Sequence, residues 1–375
     1  MHASEDTPGW TAPPADDELT EKIEGYEEPT PGGWEDYPID ELAIRDERRT
    51  AEDVVRRIGK GRFVLDPDFQ RGFVWKPEQQ SRLIESILMR IPLPVFYVAE
   101  DSEGRLIAVD GRQRLTTIDK FLRGGLKLAL PDRGELNGKR FSDLEPRLQN
   151  RVEDCQLLFY IIDHSVPERA RLDIFERVNS GAPLTRQQMR NAIYNGPATT
   201  FLREESNTDL FIKATGKSLN IKKMQDREFV NRFCSFLLVP LEDYKGDMDK
   251  WLAEGLKRLN RATEAELADI RDKFRLTLRN NWSTFGKHAF RKHLQMDQGR
   301  SVVNASLFDV MSTGLSRYDE DTVKAHAAPL REAFYTRMGN DEFIKAITYG
   351  PNTPKEVRKR FEIATQMFNE VFDAP

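Results

Sequence analysis

The stretch at residues 106–118 constrains the fold more than any other part of the chain, because an apolar run changes there directly into a polar one. Its first four residues are apolar and predict a buried strand. Asp110 and Gly111 predict a turn, and a helix with Arg112 and Arg114 in its first turn follows. Two cations at the start of a helix oppose the helix dipole unless an anion is bound there. The sequence therefore predicts a strand–turn–helix unit that binds phosphate or another polyanion.

Several side chains of this unit are candidates for chemistry. Asp110 can serve as a general base, as a metal ligand or only as the cap of the helix. Arg112 and Arg114 can hold phosphates through their guanidinium groups. The remaining candidates contribute backbone N–H, amide or hydroxyl groups to the same turn and helix: Gly111, Gln113, Thr116 and Thr117. The structural alternative is an aspartate cap followed by two surface arginines.

Charge is divided unevenly along the chain, whose formal net charge is −5. Residues 1–40 carry 12 acidic side chains and one basic side chain, whereas residues 41–375 carry 56 basic and 50 acidic side chains. The first 40 residues are also rich in proline and glycine, so we expect a disordered or extended acidic leader. Two interpretations stay open: a solvated segment, or an acidic arm that competes with nucleic acid for a basic groove.

Composition also bears on location. No apolar run approaches the roughly 20 residues of a membrane span, and the first residues lack the basic and apolar segments of a signal peptide. The two cysteines, Cys155 and Cys234, lie among apolar residues and fit reduced thiols in a core better than a disulfide. We therefore expect a cytoplasmic protein without a membrane partner.

The pattern of predicted elements changes near residue 200. Before it, apolar runs that predict strands, such as 156–162, alternate with helices that begin near Pro77 and after Thr185. After it, strand signals fade and five segments predict amphipathic helices: 226–239, 248–260, 263–279, 321–338 and 354–373. The expected fold class is α+β. The expected units are the leader at 1–40, an α+β domain at 41–200 and an α-helical domain at 201–375.

Two further polar clusters lie in predicted loops and helix ends. In the first, Gln70 and Arg71 stand between aromatic residues, including Trp75, and could stack on a base or clamp a phosphate. The second comprises three residues at the end of a helix, where a polar pocket can form: Arg177, Asn179 and Ser180. The structural alternatives are a loop whose aromatic residues fill the core and a pair of helix caps.

Three motifs occur in a fixed order along this part of the chain. They read Phe-Gln-Arg-x-x-Val-Trp, Asp-Gly-Arg-Gln-Arg-Leu-Thr-Thr and Phe-x-Arg-Val-Asn-Ser-Gly-x-Pro-Leu-Thr. Together they resemble the ParB-like N-terminal domain of GmrSD-type restriction endonucleases, over roughly residues 45–195. The resemblance implies a ParB/sulfiredoxin-like fold, binding and often hydrolysis of a nucleoside triphosphate, and work on DNA, commonly against phage.

The resemblance also implies roles for individual residues. Gln70, Arg71 and Trp75 would border a pocket that in some relatives senses modified DNA. A second set would bind and hydrolyse the nucleotide, with the first residue as the essential acid: Asp110, Arg112, Gln113 and Arg114. The common form of this motif is Asp-Gly-Gln-Gln-Arg, so Arg112 adds charge where the family usually has an amide.

Many family members end in an HNH nuclease module, which needs histidine ligands around a metal. The five histidines of this chain do not form such a pattern: His2, His164, His288, His293 and His326. We therefore expect a member without an HNH metal centre. His288 and His293 are predicted to be surface or groove residues.

A basic stretch with interleaved aromatic residues occupies 271–293. Such a composition suits a nucleic-acid surface. The alternative is a solvated helix face with its aromatic residues in the core. The candidate DNA contacts here, beside Trp75, are Arg275, Arg279, Lys287, Arg291 and Lys292.

The sequence thus predicts a protein of a prokaryotic anti-phage or restriction-type system that binds and hydrolyses a nucleoside triphosphate, with Mg²⁺ assisting. Two alternatives stay open. The same residues could nick DNA directly, or the chain could be a non-enzymatic DNA-binding or regulatory subunit. The expected partner is DNA, including modified or phage DNA. A partner nuclease subunit and self-association are also left open.

Overall fold

The computed structural model describes residues 22–26, 43–65, 75–101, 103–178 and 185–372. Within them, a mixed sheet with flanking helices is followed by a region built of helices. The strands are β1 (Ile44–Thr50), β2 (Phe63–Val64), β3 (Phe96–Glu100), β4 (Leu106–Asp110) and β5 (Gln156–Ile162). The helices of the first region are α1 (Ala51–Gly59), α2 (Pro77–Leu88), α3 (Arg112–Leu122), α4 (Pro146–Glu153), α5 (Glu168–Val178) and α6 (Arg186–Ile193).

The second region contains the longer helices. They are α7 (Pro197–Ser206), α8 (Asp209–Thr215), α9 (Gln225–Leu238), α10 (Met248–Arg261), α11 (Glu264–Phe285), α12 (Ala305–Leu315), α13 (Glu320–Ala325), α14 (Ala327–Met338), α15 (Asp341–Thr348) and α16 (Pro354–Phe372). Their buried faces form one apolar core, in which α9, α11, α12 and α16 pack on one another. This is the usual way in which amphipathic helices bury their apolar stripes.

The sheet has the strand order β1-β5-β3-β4-β2. β1 runs antiparallel to β5, with Ile44 opposite Ile162 and Thr50 opposite Gln156. β5 is parallel to β3, β3 is antiparallel to β4, and β4 is parallel to β2. The carboxyl ends of β3 and β5 therefore lie at one end of the sheet, measured along the strands. The carboxyl end of β4 lies at the opposite end.

β4 is apolar throughout because both of its faces are covered. Leu106 and Ala108 lie in a core shared with α1, α2 and α3, whereas Ile107 and Val109 lie in a second core shared with α5 and α6. The alternation follows from the pleat of a strand, which turns successive side chains to opposite faces. Asp110, the last residue of β4, is the point at which the strand leaves both cores.

Local signals account for where several helices begin. The Thr50 hydroxyl accepts a hydrogen bond from the Asp53 N–H (3.2 Å) at the start of α1. The Thr185 hydroxyl accepts one from the Gln188 N–H (3.2 Å) at the start of α6. Pro77 is the first residue of α2, where a missing N–H costs nothing. The starts of α2 and α6 confirm the sequence predictions.

The described part of the acidic leader packs on the helical region. The Glu24 N–H donates to the Val303 carbonyl (2.8 Å), and the Glu24 carbonyl accepts from the Ala305 N–H (2.9 Å). Ile23 is buried in the helical core, and the Tyr26 hydroxyl donates to Glu228 (3.2 Å). Residues 22–26 are therefore ordered parts of the fold, in contrast to the disordered leader that composition favours. The other leader residues up to 42 lie outside the described residues.

The predicted α+β class is confirmed by the sheet and the helices that follow it. β5 occupies the predicted range of 156–162, and the predicted helix at 321–338 is two helices, α13 and α14. β1, α7, α8, α12 and α15 are absent from the sequence prediction. Both cysteines are free thiols, Cys155 half-buried and Cys234 buried. None of the helices in the described ranges combines the length and apolarity that a membrane crossing requires.

Candidate functional site

The turn between β4 and α3 requires glycine at position 111. Gly111 has a φ of +91° and is the N-cap residue of α3. A Cβ atom added there would lie 2.4 Å from Cδ1 of Phe96 and 3.1 Å from Nη2 of Arg114. Both the backbone angle and the close approach exclude other residues. The turn is thus a tightly packed connection that fixes where Asp110 ends the strand.

Arg114 faces the protein and not the solvent. Its Nη2 atom donates to Asp110 Oδ2 (2.8 Å) and to the Val95 carbonyl (3.1 Å), and Nη1 donates to the Pro94 carbonyl. The guanidinium carbon lies 4.3 Å from the centroid of the Phe96 ring, and the side chain is 12% exposed. Burial lowers the pKa of Arg114, and the Asp110 carboxylate opposes this shift.

These contacts correct the expectation that Arg114 presents its charge to a guest. A guanidinium that already serves a carboxylate, two carbonyls and a ring has little capacity left for a phosphate. The geometry instead makes Arg114 a positioning residue for Asp110. The Asp110 side chain remains 37% exposed, so it is accessible to solvent beside the start of α3.

The remaining residues of the turn divide into half-buried and buried groups. Arg112, Gln113 and Thr116 are half-buried, and the first two have interaction partners within the protein. Thr117 is 0% exposed, and its hydroxyl donates to the Gln113 carbonyl (2.7 Å). The prediction that Thr117 binds a nucleotide is therefore wrong, because its hydroxyl is enclosed in the helix packing.

The other two predicted clusters fall mainly in parts of the chain outside the described residues: Gln70, Arg71, Asn179 and Ser180, together with the side chain of Arg177. Trp75 is described and half-buried, and it packs against the core that α2 and α3 share. Its carbonyl accepts a hydrogen bond from Gln80 Nε2 (2.9 Å). A core contact of this kind matches the structural alternative for the Trp75 ring, although the ring keeps an exposed part.

Acidic partners neutralise most of the basic stretch at 271–293. Arg275 donates twice to the buried carboxylate of Glu205 (2.8 and 2.9 Å), and Arg279 pairs with Glu320. Phe274, Phe285 and Phe290 lie in the helical core. These contacts favour the alternative of a helix face whose aromatic residues belong to the core.

Two more of the predicted DNA contacts are engaged within the protein. Arg291 is 1% exposed and donates to the Thr215 carbonyl (2.9 Å) and to Ser218 (2.6 Å), so its assignment to a DNA surface is wrong. Lys292 is half-buried and bonds Glu24 (2.6 Å). Lys287 is exposed.

His288 and His293 are buried, which corrects their prediction as surface or groove residues. Their rings stack with centroids 4.7 Å apart, and His293 also packs against Phe334 (4.9 Å). Burial is the main cause that lowers the pKa of both rings, and it brings the pKa of His293 to about 4. The two rings are therefore part of the packed interior of the helical region.

A buried ionic network that sequence analysis missed joins the two regions. Arg186 on α6 bonds Asp173 (2.7 Å) and Asp249 (2.6 Å). Arg190, one turn later, bonds Asp249 and also Glu228 (3.1 Å). The signal was present in the spacing, because two arginines four residues apart share one helix face. Their partners lie on α5, α9 and α10, which periodicity alone does not bring together.

The fold and the turn define an α+β domain in which an arginine braces an exposed carboxylate between a strand and a helix. Residues 51–195 match the family model described as GmrSD restriction endonuclease, N-terminal domain. The match covers α1 to α6 and includes the Asp110 turn, and it is the similarity to a GmrSD-type N-terminal domain that the motifs predicted. No curated protein matches the chain.

Proposed function

We propose that the turn between β4 and α3 binds a nucleoside triphosphate and hydrolyses it with Asp110, within an anti-phage or restriction-type protein that acts on DNA. The observation that carries this proposal is that the Asp110 side chain is both accessible to solvent and held in place by Arg114. Its carboxylate is 37% exposed, yet Arg114 holds one of its oxygens at 2.8 Å. A partly exposed and oriented carboxylate beside a helix start is the arrangement expected of an acid that works on a bound phosphate chain.

The helix start supplies the groups that attract the phosphates. The Leu115 N–H donates to the Gly111 carbonyl (2.9 Å), which closes the first turn of α3. The N–H groups of the three preceding helical residues, 112–114, therefore have no carbonyl partner within α3. Such N–H groups and the helix dipole favour an anion at this point. The family match includes the whole turn and supports the same assignment.

The local charge balance also suits a polyanion. The positive charge of Arg114 offsets the negative charge of Asp110, because the two groups are in contact. The start of α3 then adds the positive end of the helix dipole to this neutral pair. A phosphate chain can thus approach Asp110 without the repulsion that an isolated carboxylate would exert.

Mg²⁺ fits the donor set of this turn. It prefers carboxylate oxygens and usually keeps several waters, so the exposed oxygen of Asp110 is the group that would hold it. When bound, the ion would neutralise charge on the phosphates and polarise them. Asp110 itself would orient or deprotonate the attacking water, and Arg114 would keep it in place.

Phosphate release tests the proposal. The full chain is incubated with Mg²⁺ and each of ATP, GTP, CTP and UTP, and the Asp110→Asn variant is assayed beside the wild type. We expect hydrolysis of at least one nucleotide and a loss of at least about 100-fold in the variant, the usual contribution of an acid–base group. Asp119→Asn is a matched control, because Asp119 pairs with Arg123 (2.7 Å) on the same helix at the same spacing. Wild-type turnover in Asp110→Asn would contradict the assignment.

Supercoiled plasmid separates this function from a DNA nickase built on the same residues. The wild type and Asp110→Asn are incubated with plasmid and Mg²⁺, with and without nucleotide. The proposal expects phosphate release that requires Asp110 and no nicking by this chain alone. Nicking that requires Asp110 and proceeds without nucleotide would favour the nuclease. DNA binding with neither reaction would favour a regulatory subunit.

A further inference from the structure

A second candidate site lies at the end of the sheet opposite Asp110, beside the carboxyl ends of β3 and β5. A cavity of about 1070 Å³ opens there between the two regions. Its walls come from the turn after β3, the segment after β5, and α10. The lining residues that carry the argument are Asp101, Arg171, Asp247, Lys250, Glu254 and Lys257. Both regions of the chain therefore contribute to one cavity.

Arg171 is the unusual member of this lining. The residue is 5% exposed, and its Nε and Nη2 atoms are buried without a hydrogen-bond partner among the described residues. Two other buried arginines are paired with carboxylates: Arg190 with Glu228 (3.1 Å) and Arg232 with Asp309 (2.7 Å). A buried cation without a partner is unfavourable, and a bound anion removes that cost.

Neighbouring carboxylates of the cavity are already engaged elsewhere. Asp101 accepts hydrogen bonds from Arg105 Nε (2.7 Å) and from the Glu103 N–H (2.9 Å). Asp247 caps α10 by accepting from the Lys250 N–H (3.0 Å). These acids are committed to a turn and a helix start, so they do not neutralise Arg171.

Glu254 is the third acid of this kind, and it pairs with Arg258 (3.4 Å) and Lys257 (4.0 Å) along its own helix. Lys250 is exposed on the same wall and adds positive charge. The local field at Arg171 therefore favours a negatively charged guest.

We propose that this cavity binds a small molecule through an oxyanion, a phosphate or carboxylate group, held by the guanidinium group of Arg171. A guanidinium presents its N–H groups in a fork that matches such an anion. The cavity volume suits a ligand of metabolite size. This site is separate from the Asp110 turn, since the length of β4 lies between them. A ligand there would contact both regions and stabilise their packing.

Isothermal titration of the full chain tests the site with three probes: inorganic phosphate, ribose 5-phosphate and succinate. We expect at least one of them to bind with one site per chain. Arg171→Met should weaken that binding by about tenfold or more, because it removes charge-assisted hydrogen bonds. The control variant Lys250→Gln removes an exposed charge from the same wall and should change binding by less than about threefold. The phosphate and succinate arms distinguish the two kinds of anion.

Two further readouts make the outcome decisive. Without a probe, Arg171→Met should unfold at the same temperature as the wild type or at a higher one, because the Nε and Nη2 atoms of Arg171 have no hydrogen-bond partner among the described residues. Its nucleotide hydrolysis should match the wild type, so a failure of this site is distinguishable from a failure of the Asp110 assignment. Absence of binding by all three probes, equal binding by Arg171→Met, or a lower unfolding temperature of that variant would overturn the proposal.

Discussion

At the scale of single residues, the account depends on how Gly111 and Arg114 hold Asp110. The glycine lets the backbone turn against Phe96, and the arginine fills the space behind the carboxylate. The sequence showed that this turn was polar and basic. It did not show which arginine faces inwards, because that depends on carbonyls of residues 94 and 95 that the sheet brings beside the turn.

Gly111→Ala should lower the free energy of unfolding by about 3 kcal/mol, because it combines a left-handed backbone with a clash against the Phe96 ring. Urea unfolding monitored by circular dichroism measures the change. Gly124→Ala is the matched control, since Gly124 has a φ of +75° and no atom within 4 Å of an added Cβ. That variant should lose only about 1 kcal/mol. Equal losses in the two variants would mean that the turn is loosely packed.

The buried histidine pair should make stability depend on pH. His293 has a pKa of about 4 in the folded chain and an ordinary value of 6.5, so the unfolded chain binds more protons between these values. Stability should therefore fall as the pH drops from 6.5 to 4. His293→Phe keeps the ring contacts but loses the hydrogen bond to the Arg291 carbonyl (2.8 Å).

Urea unfolding of the wild type and His293→Phe across this pH range checks the prediction. The variant should be less stable at pH 7 and should lose less stability between pH 6.5 and 4. Carboxylates elsewhere titrate in both proteins, so the difference between the two curves isolates the histidine. Parallel curves would contradict the burial of a neutral ring.

At the scale of elements, the sequence predicted those that bury an apolar stripe or begin at a clear cap. β5, α2 and α6 belong to this group. β1 was missed because its sequence, Ile-Arg-Asp-Glu-Arg-Arg-Thr, has the composition of a surface segment. Its backbone pairs with β5 along seven residues, and charged side chains are common on such an edge strand. Strand pairing of this kind is a tertiary effect that local patterns do not contain.

α6 carries buried ion pairs that join the two regions. Arg190→Met should lower the free energy of unfolding by about 3–5 kcal/mol, because it leaves the buried Glu228 without this cation and Asp249 with Arg186 alone. In differential scanning calorimetry we expect one unfolding transition for the wild type. In the variant this transition should become broader or divide into two. Lys273→Met is the control, since its pair with Asp269 is exposed and should contribute less than about 1 kcal/mol. Similar losses in both variants would argue against a special role for α6.

At the scale of the whole molecule, two candidate sites lie at opposite ends of the strands of one sheet. The Asp110 turn belongs to the GmrSD-type N-terminal domain, and the Arg171 cavity is shared between that domain and the helices after it. The sequence predicted the first site from a motif that is continuous along the chain. The second site has no continuous motif, because its walls come from four segments spread along the chain between Asp101 and Arg261.

The charge of the whole molecule also needs a different interpretation from that of composition. The basic stretch at 271–293 suggested a DNA surface. In the structure, however, Arg275, Arg279 and Lys292 form ion pairs with glutamates from other parts of the chain. Counting charges along a sequence overestimates the positive surface wherever acids from other helices fold onto it. Contacts with DNA are therefore expected to depend less on this stretch than its composition implies.

Hydrogen–deuterium exchange of the full chain tests whether a nucleoside triphosphate binds at the start of α3. The measured quantity is the exchange rate of the backbone N–H groups there. The chain is compared with and without Mg²⁺ and the non-hydrolysable form of whichever nucleotide it binds in a calorimetric titration. The account predicts slower exchange of the backbone N–H groups of residues 112–114, which a bound phosphate would cover. Unchanged exchange at these three residues while the nucleotide is bound would contradict it.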